Sequence, residues 1–442
     1  MIFDDMEFGS YDKAERKARK AYELYEDGKM PQALEAIETA LEINPANGTW
    51  HFNKALTLDA IDRFEEAIYE YETALQFNPG DLEILNSLAV DYTRVGRYDQ
   101  AIDTFEKIQE LEPDFEPCYC NRIITYTEMG LHDLAEQMFY IAQQIKPNCA
   151  LCYYNIGNSL FARGQYQKAV RCWLRTSELE IAHPQINYRI AQAYWACGEK
   201  DKAKEYFLSE IRLNPGDIDV IFDLGLLQLE TGDLESAREK FNRILEFDSR
   251  FAPALFYRGE IAFHSGDNDK AAASYNKALE SDEDIQGPRY RLAQLAIMNN
   301  QNDQARSYLL AEMKLASEDC EILVSMGSMF LTIGDSGCAT SCLLRAIDNN
   351  STGADAYYYL GLASAIRGEF EEASELFSHA LDINSDHVAA LRDSAFTFLI
   401  KRKFHEASER IEKAIMLSPN DPQIKSLKRR ICFAKIINRV KK

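Results

Sequence analysis

Alanine recurs every 34 residues along this 442-residue chain, twelve times in succession, from Ala33 through Ala67, Ala101 and onward to Ala407. No insertion or deletion interrupts the register, so twelve windows of 34 residues start at 14, 48, 82, 116, 150, 184, 218, 252, 286, 320, 354 and 388. A fixed period of this length is the signature of stacked supersecondary units rather than of one globular fold. The recurring alanine is window position 20. Position 8 is Ala or Gly in eleven windows, with Ile123 the exception, and position 24 is always large and apolar, as in Tyr71, Phe105, Trp173 and Phe377.

Each slot has a physical role. Small residues at positions 8 and 20 let two helix backbones approach closely. The large residue at 24 fills the space beside that crossing. Position 15 is Gly in nine windows and can take the positive φ that ends a first helix. Position 32 is Pro in six windows, beyond the second helix, which it cannot continue. It is replaced at Ile181, Ser249, Glu283, Ser317, Ser351 and Ser385. Apolar residues at 4, 7, 8 and 11, then at 20, 24, 27 and 28, follow helical spacing. Each window therefore predicts a helix, a tight turn and an antiparallel helix. One such pair cannot bury its own apolar face, but a stack of pairs can. A composition that is 46% apolar and 11% aromatic supplies the core for it and excludes disorder as the main state.

The pattern of small 8, Gly 15, Ala 20, aromatic 24 and Pro 32 resembles the tetratricopeptide repeat, over residues 14–421. The resemblance implies an all-α fold, a right-handed α-solenoid superhelix of about 25 helices whose first helices line the concave face. It divides the chain into a lead-in at 1–13, the twelve repeats at 14–421 and a basic capping helix at 422–442. Repeat nine departs most from the pattern, with Asn300 at position 15 and no Pro at 32, so a local change in curvature is expected there.

Catalytic signatures are missing from the sequence. It has no phosphate-binding glycine loop and no His-Glu-x-x-His. Gly334-Asp335-Ser336-Gly337 is similar to the serine-nucleophile segment of trypsin-like proteases, but it falls on an inter-helix turn, where Gly232-Asp233 and Gly266-Asp267 stand in other repeats. The expectation is a chain that is not an enzyme and needs no cofactor. The one candidate metal set is Cys118, Cys120, Cys149 and Cys152, four thiols on neighbouring repeats. Cys118 and Cys152 share position 3, which should bring them together. Side chains two residues apart on a helix, however, point about 200° from one another. Position 3 also accepts small residues, so buried structural thiols are the expectation.

If the first helices line a groove, positions 2, 5, 9, 12 and 13 form one inward stripe, with position 6 beside it. Repeats five to nine place aromatics there: Tyr154, Phe161, Tyr188, Trp195, Phe222, Phe256 and Tyr290. Asn155, Asn158, Arg189, Gln192, Arg291 and Gln294 are interleaved with them. Aromatics offer contact area at low entropy cost, amides pair with an extended backbone, and arginine grips a carboxylate. The same aromatics also serve simple packing in this architecture. Within the family, a two-carboxylate clamp wants Lys where Cys120 and Gln185 stand, so that specialised recognition is incomplete. The position-6 asparagines Asn53, Asn121 and Asn155 resemble the asparagine ladder of glycosyltransferase-associated repeats, but Ser87 interrupts them and no transferase domain follows.

Charge narrows the partners. The 49 Lys and Arg against 71 Asp and Glu give a net charge of −22, which argues against nucleic acid and against an anionic membrane surface. No window is long and apolar enough to insert in a membrane. An acidic N-terminus without a signal pattern and scattered cysteines point to the cytoplasm. The reading is an interaction scaffold that holds an extended segment of a protein or peptide partner in its groove. The alternative is self-assembly into a homo-oligomer: residues 422–442 carry eight Lys and Arg and no acid, and would dock on the acidic body of another copy.

Overall fold

A computed structural model describes residues 2–180, 183–315, 319–349 and 353–440, with side chains from 13 to 438 in those ranges. The described residues form 25 α-helices and no strand. Two compact units divide them, the first ending at Leu227 and the second starting at Gln228. The first half of the chain holds α1 (Ile2–Glu26), α2 (Met30–Ile43), α3 (Gly48–Asp59), α4 (Phe64–Phe77), α5 (Leu82–Arg94), α6 (Tyr98–Leu111), α7 (Glu116–Glu128), α8 (His132–Ile145), α9 (Ala150–Ala162), α10 (Tyr166–Leu179), α11 (Ile186–Ala196), α12 (Lys200–Leu213) and α13 (Ile218–Glu230). There follow α14 (Leu234–Phe247), α15 (Ala252–His264), α16 (Asn268–Ser281), α17 (Pro288–Met298), α18 (Asn302–Met313), α19 (Cys320–Thr332), α20 (Ser336–Asp348), α21 (Ala354–Arg367), α22 (Phe370–Ile383), α23 (Val388–Ile400), α24 (Phe404–Leu417) and α25 (Pro422–Val440). Within each unit consecutive helices pack as pairs and the pairs stack, so each is an α-solenoid.

The slot chemistry explains the packing. Every position-20 alanine, from Ala33 to Ala407, is 0% exposed, because a larger side chain would push its pair of helices apart. The largest fully buried side chains are mostly position-24 residues, led by Trp173, Tyr71, Tyr275, Phe105 and Phe207. A Cβ added to Gly157 would stand 2.4 Å from Trp173 Nε1, and one on Gly259 would stand 2.5 Å from the Tyr275 ring. Position 8 must therefore be small where position 24 is large. Ile123 inverts the arrangement: it is fully buried, while its position-24 partner Phe139 is half-buried and rests edge-on against Tyr153.

Turns keep their geometry even where the sequence departs. Position 15 lies at positive φ at Gly96, Gly164 and Gly232, and also at Asp62, Asn300 and Arg402, the three windows without glycine. The stacked helices impose the left-handed residue against its intrinsic cost. Aspartates cap the following helices: Asp233 accepts from Ser236 N–H, Asp267 from Lys270 N–H and Asp335 from Cys338 N–H. The Gly-Asp-Ser-Gly run is thus a turn and a helix cap. In repeat nine α17 has 11 residues and α18 ends at Met313, and the Glu312 carboxylate accepts the Gly287 N–H at 2.6 Å.

The chain's two ends differ from a bare repeat. The proposed lead-in is helical from Ile2 and continuous with α1 rather than a separate segment. At the other end Ile424, Leu427 and Ile431 of α25 are buried against the last pair and cap its apolar face, while Phe433 and Ile436 are exposed. The position-32 departures at Ile181, Ser317 and Ser351 lie outside the described residues. No helix among the described residues is long and apolar enough to cross a membrane.

One buried carboxyl gives unit 1 a pH signature. Asp91 on α5 is 1% exposed; one oxygen accepts from Arg94 at 2.9 Å and the other is buried with no hydrogen-bond partner among the described residues. Burial, then the nearby Asp59, raises its carboxyl to about 7. An unfolded Asp titrates near ~3.9, so the folded state keeps the proton longer and stability falls as pH rises from about 4 to about 7. Asp91→Asn is expected to raise the melting temperature at pH 7.5 and leave it unchanged at pH 4, which thermal melts at the two pH values check.

Candidate functional site

Unit 1 has an open cleft of about 450 Å³, lined by Phe161, Arg189, Gln192, Trp195, Ala196 and Asp223. Four of the six are residues singled out in the sequence. Helical spacing places them: Arg189, Gln192 and Ala196 follow one face of α11 at intervals of three and four. Behind them stands an aromatic layer. Trp173, fully buried, lies 5.7 Å from the Phe161 ring and donates its indole N–H to the Tyr154 carbonyl. Trp195 and Tyr188 both pack on Phe207, and Tyr154 sits 4.3 Å from the His183 ring.

Polar groups divide into satisfied and unsatisfied. The Tyr188 hydroxyl and the Gln192 amide both donate to Asp223 Oδ2, at 2.9 and 3.2 Å. Burial raises the Asp223 carboxyl, against the lowering by those two donors. Arg189 Nε is buried without a hydrogen-bond partner among the described residues, and so is Asn158 Oδ1 on α9. An unpaired buried polar atom of this kind costs about 1–3 kcal/mol unless something satisfies it. Phe222 is half-buried at the start of α13.

Other expected residues are engaged within the protein. Asn155 is buried and donates to the Cys120 carbonyl at 3.1 Å, so it does not face the stripe. In unit 2, Arg291 makes a two-pronged ion pair with Glu260, with Nη2 to Oε2 at 2.6 Å, and also donates to Gln294. Phe256 packs against Tyr257 and Tyr275, and the Tyr290 ring lies beneath the Arg291 guanidinium. The four expected residues Phe256, Tyr290, Arg291 and Gln294 are half-buried and already engaged by neighbours within the chain.

The thiols assemble differently from the sequence expectation. Cys120, Cys149 and Cys152 come together with Glu116, and one donor atom of each lies within 4.8 Å of every other. Cys118 is not among them: it turns to the preceding repeat, where its thiol donates to the Phe105 carbonyl, and burial pushes it up to about 12. The reason is the helix period. Cys118 and Cys120 point to opposite sides of α7, while Glu116 and Cys120, four apart, share a face. All three clustered thiols are buried and Glu116 is half-buried. Thiol donation from Cys120 and then Cys152 pulls the Cys149 thiol down. Sequence reasoning missed Glu116 and Asp223. The i, i+4 spacing to Cys120 was the available signal for the first, and the position-6 slot it shares with Arg189 was the signal for the second.

Family models were matched over most of the repeat region. One described as tetratricopeptide repeat matches residues 154–218 and 222–288, and another of the same description matches 354–387, a complete window of the register above. The Psidin N-terminal tetratricopeptide-repeat region matches residues 15–167. The chain is a tetratricopeptide-repeat protein. No curated protein matches it in sequence. Among solved structures, this tetratricopeptide-repeat chain is similar to one from the APC/C Cut9–Hcn1 hetero-tetramer, with 14% identity, TM-score 0.45 and coverage of 95% of this chain and 96% of that one. It is also similar to yeast Tom70, with 16% identity, TM-score 0.40 and coverage of 97% and 96%. YrrB, described as a TPR protein with an unusual peptide-binding site, shares 20% identity at TM-score 0.39 over 43% of this chain and 97% of its own. As a tetratricopeptide-repeat protein the chain is a protein-interaction scaffold.

Proposed function

We propose that this scaffold is a non-catalytic adaptor whose unit 1 cleft binds an extended segment of another protein, a segment that carries a carboxylate beside an apolar side chain. The observation that carries the reading is Arg189. Its side chain lines the cleft together with Phe161 and Trp195, and its buried Nε has no hydrogen-bond partner among the described residues. A peptide carboxylate would pair with the half-buried Arg189 side chain where it faces the cleft, and the rings would receive the neighbouring side chain. Ten free thiols support a reducing compartment, and the cytoplasm belongs to the proposal.

Selection of a random displayed-peptide library on the purified protein tests it. Enrichment of Asp or Glu next to an aliphatic or aromatic residue is expected. A charge-assisted hydrogen bond is worth about 1.5–3 kcal/mol, so Arg189→Glu should weaken the selected peptide about 10- to 100-fold and turn the preference toward Lys or Arg. Trp195→Ala should weaken binding without changing the charge preference, and circular dichroism should show helicity retained in both. Selection of the same peptides by the native and Arg189→Glu proteins would move the site elsewhere.

A further inference from the structure

We propose that Glu116, Cys120, Cys149 and Cys152 are the four ligands of a single Zn2+, a tetrahedral site that joins the fourth repeat to the fifth. Ligand number and type come first. Zinc at structural sites takes four ligands drawn from Cys, His and carboxylates. Four donor atoms all within 4.8 Å of one another surround one ion and leave no room for a cluster of several irons. With Zn–S near ~2.3 Å, the edge of the tetrahedron is about 3.8 Å, so the donors need only a small inward contraction. Three thiolates select a soft or borderline ion over Mg2+ or Ca2+, and the hard carboxylate favours Zn2+ over a monovalent soft ion.

Spacing and secondary structure position the set. Glu116 and Cys120 stand one turn apart on α7, and Cys149 and Cys152 stand three apart at the start of α9. Helices α7 and α9 are packed on one another, so two ligand pairs face across one interface. The three thiols are buried and Glu116 is half-buried, so the carboxylate is the ligand nearest to solvent.

The electrostatics are arranged for a site that is anionic when filled. Four anionic ligands outweigh the charge of one Zn2+, and that excess needs donors around it. Glu116 is the first residue of α7 and Cys149 is the N-cap of α9, so two helix N-termini place their partial positive ends at the site. The Cys152 backbone N–H donates to Cys149 Sγ at 3.3 Å. Asn155 Nδ2 reaches Cys120 Sγ at 3.5 Å as well as the Cys120 carbonyl. This is the outer shell that orients metal ligands. Asn155 follows Tyr154 of the stripe, so the metal would brace α9 from behind its groove-facing side.

The test uses the full chain, reduced and stripped with a chelator, then titrated with Co2+. About one Co2+ per chain is expected, with the thiolate charge-transfer absorption and the intense visible bands of tetrahedral cobalt, and with displacement by Zn2+. Cys118→Ser should bind as the native chain does. Cys149→Ser with Cys152→Ser should abolish the charge-transfer band, and Glu116→Gln should weaken Co2+ binding at least tenfold while the band persists. A native chain that gives only the weak spectrum of octahedral cobalt overturns the proposal without recourse to any variant. So does an undiminished band in the double variant, or a band lost in Cys118→Ser.

Discussion

Trp173→Ala should cost unit 1 about 3–5 kcal/mol, the range for removing a fully buried large aromatic. The side chain is 1% exposed, lies against Phe161, and its N–H holds the Tyr154 carbonyl. Removal leaves a cavity at the crossing of α9 and α10 that the fixed alanine spacing cannot close. In a solenoid each pair depends on its neighbours, so the loss should appear as an early local phase rather than a uniform shift. In urea followed by far-UV circular dichroism, that phase should move down by about 1 M or more. Gly157 provides the check on mechanism. Gly157→Ala alone should destabilise by about 1–3 kcal/mol, because its Cβ meets the indole and overpacks the crossing. In the Trp173→Ala background the same change has no ring to meet. The double-mutant cycle should therefore show coupling of at least about 0.5 kcal/mol. Additive effects would mean that the two positions do not share the crossing.

Arg291→Met is expected to destabilise unit 2 by about 3–5 kcal/mol, since it strands a buried carboxylate. Glu260 is 9% exposed at its side chain and is held by the Arg291 fork and by the Tyr275 hydroxyl at 2.6 Å. With the cation gone, the carboxylate keeps its desolvation cost and loses its main partner. Replacing the whole network should recover most of the loss. Glu260→Leu, Arg291→Met and Tyr275→Phe together remove the whole ion-pair network, and that triple variant should melt with a stability within about 1 kcal/mol of the native chain. Scanning calorimetry decides between the outcomes. A single variant that loses less than about 1 kcal/mol would show that the pair is solvated and that Arg291 is available to a ligand.

Arg189 and Arg291 show where sequence reading stops. Both occupy position 6 of their repeats, and both were expected to face a partner. Glu260 precedes Arg291 by 31 residues and stands at position 9 of the previous repeat. The same offset brings Gln192 to Asp223. The slot that precedes Arg189 by the same offset holds Asn158, a neutral amide. The difference between an arginine paired with a carboxylate and one that meets an amide slot was therefore present in the sequence, but legible only once the stacking had fixed which positions of adjacent repeats meet. Glu116 is a similar case. A search limited to thiols chose Cys118 for its shared slot, and the structure chose the residue on the correct side of α7.

The sequence alone determined the register, the pairing of helices, the turns and the identity of the core. These depend on local terms: helical period, the size of one side chain at a crossing, the φ of one turn residue. Even Asp62, Asn300 and Arg402 obey the register, because the repeats around them outweigh the cost at a single residue. Tertiary structure decided which polar groups neutralise one another across adjacent repeats and which buried polar atoms are left without a hydrogen-bond partner among the described residues. That outcome rests on distances between repeats and on desolvation. A charge met by an opposite charge one repeat away becomes part of the core, whereas the arginine in the same slot three windows earlier, Arg189, keeps a buried Nε with no hydrogen-bond partner among the described residues.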